Sequence, residues 1–267
     1  MIPQVLHTIE DGVATVVLHH PAKRNAMTAQ MWLALPPLLA TLAADPQVRV
    51  LVLTGSGGTF CAGADISLLR GTDSDPAQVA EEQPAPAAGE QAGPRRLAMA
   101  AEEALADFPR PTLAAVRGHC VGGGCQLAVA CDLRFADENA LFGVSPAKLG
   151  VVYPPSATRR LVELVGPATA KYLLFSGELI DVGRALRTGL VDEVLPHGGL
   201  DARVAEFSRI LMSRSQLTQT ATKEFIAGRT DRADHFAAEA RRSGETAEGA
   251  AAFLERRTPQ FRWPEQR

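Results

Sequence analysis

Apolar and polar residues alternate along two short segments near the start of the chain, 5–9 and 13–18, which predicts two β-strands. Asp11-Gly12 separates them, and this dipeptide between alternating runs is typical of a tight hairpin. Short apolar runs bounded by turn residues predict further strands. These strands lie at 48–53, Thr112–Val116, 133–136 and 191–195.

Apolar residues spaced three and four positions apart predict helices between and after these strands. The first helix covers 29–44, with Thr28 as its N-cap and a kink or a restart at Pro36-Pro37. Residues 141–155 are predicted to form a long irregular crossing, and Ser156 is expected to cap the helix that follows. One later helix is predicted at 96–108, and another begins directly after the glycines at 122–124. The remaining helices are predicted at 156–165, 168–175, 181–188, 201–213, 218–228, 231–241 and 247–255.

The order of these elements predicts the architecture. Strands come first, then strands alternating with helices, then helices alone, which indicates an α/β core over residues 1–199 and a helical region over 200–267. Residues 71–95 have no apolar periodicity and are rich in Pro, Ala, Gly and acidic residues. Such a composition buries too little apolar surface to order itself, so we expect a mobile excursion there.

Three consecutive glycines, Gly122, Gly123 and Gly124, join a buried strand to a helix. A helix that begins on glycines presents free backbone N–H groups at its positive end. Glycine also allows a ligand to approach the backbone, because no Cβ stands in the way. The segment therefore predicts a site for a negatively charged oxygen.

Composition and charge narrow the class of protein. The chain has 267 residues, 46% of them hydrophobic, and a formal net charge of −3, so no basic surplus points to nucleic acid or to an anionic membrane. Its beginning has neither the basic region nor the apolar run of a signal peptide, and no stretch of about 18 apolar residues predicts a membrane span. We therefore expect a soluble cytoplasmic protein. The four cysteines form no C-x-x-C pair, which favours buried thiols over a metal site.

The segments 60–66, 118–132, 149–150 and 181–191 together resemble the crotonase (enoyl-CoA hydratase/isomerase) superfamily. The resemblance runs in order over most of the chain. It implies an α/β fold made of a spiral of ββα turns with a C-terminal helical trimerisation region. It also implies a homotrimer or a dimer of trimers, an acyl-CoA substrate that brings coenzyme A with it, and no tightly bound cofactor.

The same resemblance implies which residues form the site. The backbone N–H groups of Ala64 and Gly123 correspond to the oxyanion hole that binds the thioester oxygen as the acyl group becomes an enolate. Arg256 corresponds to a basic position that reaches the CoA phosphate of a neighbouring subunit. The remaining positions that match the CoA-binding segments are Lys23, Arg24, Ala26, Ala62, Asp65 and Ile66.

Two positions depart from the hydratases of this family, which use a pair of glutamates as acid and base. Gln126 stands at the first glutamate position and Pro146 at the second, and neither side chain transfers a proton at neutral pH. The segment Ser145-Pro146 followed by Tyr153 instead resembles the methylmalonyl-CoA decarboxylase branch. There the tyrosine contacts the departing carboxylate, and decarboxylation begins without a base.

Three functions remain open from the sequence. The first is an enolate-forming enzyme without paired carboxylates, in its most specific form a malonyl-type acyl-CoA decarboxylase with Ala64, Gly123, Tyr153 and Gln126 in the catalytic site. The second is a hydratase or isomerase with an acid from elsewhere, such as Asp73 or Asp75. The third is an acyl-CoA-binding protein without turnover.

Overall fold

A six-stranded sheet forms the frame of the computed structural model, which describes residues 2–65 and 93–261. The strands follow the order β1-β2-β3-β4-β6-β9, with β1 and β2 antiparallel and the other neighbours parallel. The predicted strands are confirmed within two or three residues at their ends. Their bounds are β1 Gln4–Glu10, β2 Val13–His19, β3 Val50–Gly55, β4 Thr112–Val116, β6 Leu133–Asp137 and β9 Glu193–Leu195.

A second sheet of three short strands was not predicted. It consists of β5 His119–Val121, β7 Leu141–Gly143 and β8 Ile180–Asp181, in the order β5-β7-β8. The predicted irregular crossing at 141–155 is therefore wrong in part, because it contains β7 and the one-turn helix α4 Pro146–Leu149. The fold is mixed α/β, as predicted.

Helix α1 Ala29–Ala44 covers the main sheet and confirms Thr28 as its N-cap, because the Thr28 hydroxyl accepts a hydrogen bond from the Met31 N–H. The predicted restart is wrong, since the helix continues through Pro36 and Pro37 as one element. The other helices of the core are α2 Pro94–Ala106, α3 Gly123–Ala130, α5 Pro155–Ser176 and α6 Val182–Thr188. The predicted excursion at 71–95 lies, up to residue 92, outside the described residues.

Helix α5 combines two predicted helices. Gly166 has a positive φ of 73°, which bends the chain between them just before Pro167. Ser156 does not cap this helix, because Pro154 occupies the cap position and Ser156 lies inside the first turn. Its hydroxyl instead donates a hydrogen bond to Glu102 of α2.

The apolar core lies on both faces of the main sheet. One face packs against α1, α2, α3 and α5 and contains Trp32, Phe60 and Phe142, all nearly inaccessible to solvent. On the other face, Val52, Phe135 and their neighbours pack against the helix that begins the C-terminal region. The helices of this region are α7 Leu200–Met212, α8 Gln216–Ile226, α9 Ala233–Arg242 and α10 Glu245–Glu255. Within the described residues, no helix has the length and apolar character needed to span a bilayer.

Candidate active site

Two segments about 60 residues apart meet at the start of α3. The backbones at Cys61 and Cys120 form a parallel bridge, and the Val121 N–H donates to the Cys61 carbonyl at 2.9 Å. This pairing continues into the glycines. A Cβ placed on Gly123 would lie 3.5 Å from the backbone nitrogen of Ala64. The structure therefore brings together the two residues, Ala64 and Gly123, that the sequence assigned to one site.

The three glycines are needed here for different reasons. Gly122 precedes α3 with φ of 55° and ψ of −117°, a conformation that side chains disfavour. A Cβ on Gly123 would lie 2.9 Å from Cζ2 of Trp32, and one on Gly124 would lie 2.5 Å from the carbonyl oxygen of Cys61. Glycine therefore allows both the turn into α3 and the close approach of the chain at Cys61–Ala64.

The N–H groups of Ala64 and Gly123 are the candidate donors of this site. Within the described ranges, neither donates a hydrogen bond to a backbone or side-chain acceptor, and Ala64 is exposed while Gly123 is half-buried. Gly123 is the first residue of α3, so the helix dipole adds positive potential at this point. Two adjacent N–H donors with this environment are suited to an oxygen that gains negative charge, and one such donor contributes about 3 kcal/mol in known enzymes.

The loop at 20–27 lies against the same segment. Asn25 is fully buried and holds the loop in place, since its Nδ2 donates to the carbonyl oxygens of Ser56 and Thr59, both at 2.8 Å. The Ala62 N–H donates to the Arg24 carbonyl, and Met27 forms a parallel bridge with Ala64. The two segments predicted to bind CoA are therefore adjacent.

The individual side chains in these segments differ in accessibility. Lys23 is half exposed, and its Nζ lies 2.7 Å from a carboxylate oxygen of Asp65, which is largely buried. Ala26 is buried and Ala62 is half-buried. The binding of CoA by these residues stays a prediction, and the prediction for Ile66 falls outside the described residues.

Gln126 takes part in a buried polar cluster that sequence reasoning missed. Its Nε2 donates to Oε2 of Glu102 at 2.8 Å. The Glu102 carboxylate also accepts from Ser156 Oγ at 3.1 Å and forms an ion pair with Arg160. Glu102 has an exposed fraction of 0%, and Gln126 has 3%. A buried carboxylate thus lies within hydrogen-bond distance of the Gln126 amide.

The sequence contains a signal for Glu102. The apolar face of α2 includes Ala98, Ala101 and Leu105, and Glu102 follows Ala98 by four positions. A charged residue within an apolar stripe is expected to be buried with a partner. The partners themselves come from α3 and α5, which no spacing within α2 reveals.

Tyr153 lies next to this cluster, just before α5, and packs against the main core. Burial raises the pKa of the Tyr153 hydroxyl well above its usual range, and the neighbouring Cys125 and Glu102 act in the same direction. The hydroxyl therefore stays protonated at neutral pH and is a hydrogen-bond donor there. The catalytic assignment of Tyr153 stays a prediction.

All four cysteines are free and buried, which confirms the interpretation as buried thiols. Burial raises the pKa of Cys61 and of Cys131 to about 12, so neither is a thiolate at neutral pH. The remaining predicted residue, Arg256, is exposed at the end of α10 and has a positive φ of 55°. Its proposed contact with a neighbouring subunit lies beyond a single chain.

Comparison with known proteins finds similar sequences and structures. A family model described as enoyl-CoA hydratase/isomerase matches residues 8–264. Crotonyl-CoA hydratase of Syntrophomonas wolfei is 33% identical over 261 residues, covering 94% of this chain and 95% of the relative. Hydroxycinnamoyl-CoA hydratase-lyase of Pseudomonas fluorescens is 32% identical over 216 residues, covering 80% and 75%. A solved structure of an enoyl-CoA hydratase/isomerase family member superposes with a TM-score of 0.86 at 36% identity and covers 98% of both chains.

Proposed function

Since the chain belongs to the enoyl-CoA hydratase/isomerase family, we propose that it binds an acyl-CoA and stabilises its thioester enolate with the N–H groups of Ala64 and Gly123. The observation that carries this proposal is the adjacency of these two N–H groups, neither of which donates to an acceptor among the described residues. As negative charge develops on the thioester oxygen, both donors strengthen their hydrogen bonds to it. Coenzyme A enters as part of the substrate, and the reaction needs no tightly bound cofactor.

The reaction that these residues support best is the decarboxylation of a malonyl-type acyl-CoA. The bond between C2 and the carboxylate breaks, carbon dioxide leaves, and the electron pair passes into the enolate. No base is required, which suits a site with Gln126 and Pro146 in place of glutamates. The protonated hydroxyl of Tyr153 is suited to orient the carboxylate and then to help protonate C2, as the resemblance to the methylmalonyl-CoA decarboxylase branch implies.

Hydration or double-bond isomerisation is the second candidate, and two observations favour it. The relative from Syntrophomonas wolfei is a crotonyl-CoA hydratase. In addition, Glu102 places a carboxylate within hydrogen-bond distance of Gln126. Asp73 and Asp75, the acids suggested by the sequence, lie outside the described residues. The three bonding partners of Glu102 and its burial nevertheless leave little access for a substrate.

Turnover of two substrates separates these functions. The protein is incubated with methylmalonyl-CoA and with crotonyl-CoA, and the thioesters are followed by mass spectrometry. Loss of carbon dioxide from methylmalonyl-CoA supports the first function, whereas rapid hydration of crotonyl-CoA refutes the argument from the missing glutamates. Binding of both thioesters without turnover identifies an acyl-CoA-binding protein.

Tyr153→Phe tests the proposed mechanism, and Tyr172→Phe is its matched control. Tyr172 is the other tyrosine of the chain; it lies within α5, where its ring stacks under Arg184. We expect Tyr153→Phe to slow carbon dioxide release at least about tenfold, in the range typical for loss of a proton donor. Tyr172→Phe is expected to leave the rate unchanged. Equal rates for Tyr153→Phe and the parent remove Tyr153 from the mechanism.

We also propose that the helical region at 200–267 assembles the chain into a trimer or a dimer of trimers. Phe253 and Leu254 of α10 are 83% and 81% exposed, and large apolar side chains this exposed at adjacent positions suit an interface. In such an assembly Arg256 would face the CoA of a neighbour. Light scattering after gel filtration gives the mass in solution, and a monomer contradicts this proposal.

A further inference from the structure

The carboxylate of Glu102 is enclosed by three donors from two other helices. Gln126 Nε2 and Ser156 Oγ both donate to Oε2, and the Arg160 guanidinium pairs with Oε1. The Arg160 side chain is 22% exposed and Glu102 is fully buried. Glu102 is therefore the buried centre of the cluster, and its two oxygens determine how the side chains that donate to it are oriented.

The hydrogen bond between Glu102 and Gln126 determines which way the Gln126 amide faces. An ionised carboxylate accepts hydrogen bonds and donates none, so the nitrogen of the amide must face Glu102. The carbonyl oxygen lies on the other side of the amide carbon and is turned away from Glu102. Without this partner, a glutamine side chain presents its nitrogen or its oxygen to a neighbour with similar ease.

We propose that Glu102 is a positioning residue that turns the carbonyl oxygen of Gln126 toward C2 and C3 of the bound acyl group. The site then offers a hydrogen-bond acceptor on the Gln126 side of these carbons and favours an acyl-CoA with a donor on that side, such as a C3 hydroxyl group or a bound water. This inference rests on the proposed acyl-CoA function: with the thioester oxygen at the Gly123 N–H, the acyl carbons lie near Gln126, which is three positions further along α3 on the same face.

The inference also determines where a carboxylate substituent of the acyl group lies. A carboxylate and the Gln126 carbonyl oxygen are both acceptors, so they repel each other at hydrogen-bond distance. Under the proposed function, the hydroxyl of Tyr153, which lies just before α5, is the donor that orients this carboxylate. The carboxylate of a malonyl-type substrate therefore faces Tyr153, and a water molecule occupies the side of Gln126.

Glu102→Gln tests this inference because it reverses the orientation of the Gln126 amide. The guanidinium of Arg160 makes its strongest hydrogen bond to an oxygen, so it takes the single amide oxygen at position 102. The amide nitrogen at position 102 then faces Gln126, whose oxygen must turn toward it. The variant thus presents the Gln126 nitrogen, a donor, to C3. Ser156→Ala is the matched control, since it removes another bond to Glu102 and leaves the Gln126 amide as it is.

The readout is the ratio of two dissociation constants measured by calorimetry, for 3-hydroxybutyryl-CoA, a donor at C3, and acetoacetyl-CoA, an acceptor. We expect the parent and Ser156→Ala to favour the hydroxyacyl thioester, and Glu102→Gln to shift the ratio at least about fivefold toward the ketoacyl thioester. A general loss of packing lowers both affinities together and leaves the ratio unchanged, which overturns the inference.

Gln126→Met keeps the inference testable if Glu102→Gln fails to fold. It removes the amide and leaves Glu102 paired with Arg160 and Ser156. We expect it to lose the preference for the hydroxyacyl thioester, and a preference that survives in this variant overturns the inference. If both thioesters bind tightly and the variants have the same ratio of dissociation constants as the parent, the inference is wrong and the proposed function stands. Absence of binding by the parent overturns the proposed function together with the inference.

Discussion

Gln126→Glu places a second carboxylate beside Glu102, and the structure predicts that the two form a proton-binding pair rather than a free base. The introduced carboxylate would take the place of an amide nitrogen that lies 2.8 Å from Oε2 of Glu102. Two full charges at that separation repel each other by about 6 kcal/mol at an effective dielectric constant of about 20. The attraction of Arg160 for both carboxylates reduces this figure. One shared proton removes the repulsion, so the folded variant retains a proton at neutral pH.

The retained proton has a measurable effect on stability. In the unfolded chain a glutamate releases its proton at about pH 4.3. Above that pH the folded variant holds a proton that the unfolded chain has lost, so its stability falls as the pH rises. The loss is up to about 1.4 kcal/mol per pH unit until the pair itself loses the proton. The parent carries an amide at position 126 and lacks this additional slope.

The assay is urea unfolding at pH 5, 6, 7 and 8, followed by circular dichroism. The matched control is the double variant Glu102→Gln with Gln126→Glu, which exchanges the amide and the carboxylate and so contains one acid, as the parent does. We expect the single variant to lose stability relative to the parent with each step in pH, and the exchanged variant to remain parallel to the parent. Parallel curves for the single variant would refute the reasoning.

Two further predictions concern the glycines and the thiols. Gly123→Ala is expected to lower the free energy of unfolding by about 1–3 kcal/mol, because the new Cβ would lie 2.9 Å from the Trp32 ring. In urea unfolding, adding Trp32→Phe should recover part of that loss. An unchanged stability for Gly123→Ala contradicts the close contact. Burial raises the pKa of Cys61 to about 12, so we expect this residue to resist a thiol reagent in the folded protein at pH 8. In guanidinium chloride all four cysteines should react. Rapid labelling of Cys61 in the native protein, mapped by mass spectrometry, would be inconsistent with its burial.

The parts of the fold that were predicted from sequence are those set by local patterns. The strand Thr112–Val116 is a continuous apolar run between turn residues, and its limits are confirmed. Thr28 precedes an apolar periodic segment, and its role as the cap is confirmed as well. The second sheet was missed because strands of three residues, such as His119–Val121, exist through pairing with distant segments rather than through their own pattern.

The candidate site was likewise predicted from the sequence only where local patterns determine it. The glycines at 122–124 predicted backbone donors because they permit a turn into a helix, and the family resemblance implied Ala64 as the second donor. The cluster around Glu102 depends on side chains from α2, α3 and α5 that meet only when the helices pack. Ser156 illustrates the difference, because a serine before a helix favours a cap, while the packed structure uses its hydroxyl to hold Glu102.

The N–H groups of Ala64 and Gly123 also make the site observable by hydrogen exchange. Most amides beside the central sheet are hydrogen-bonded and exchange only through opening of the fold. These two lie next to buried residues yet have no acceptor in the described part of the chain, so they should exchange with deuterium far sooner than their neighbours. A thioester oxygen that accepts from both would slow their exchange, and the two amides would report occupancy of the site in the absence of turnover.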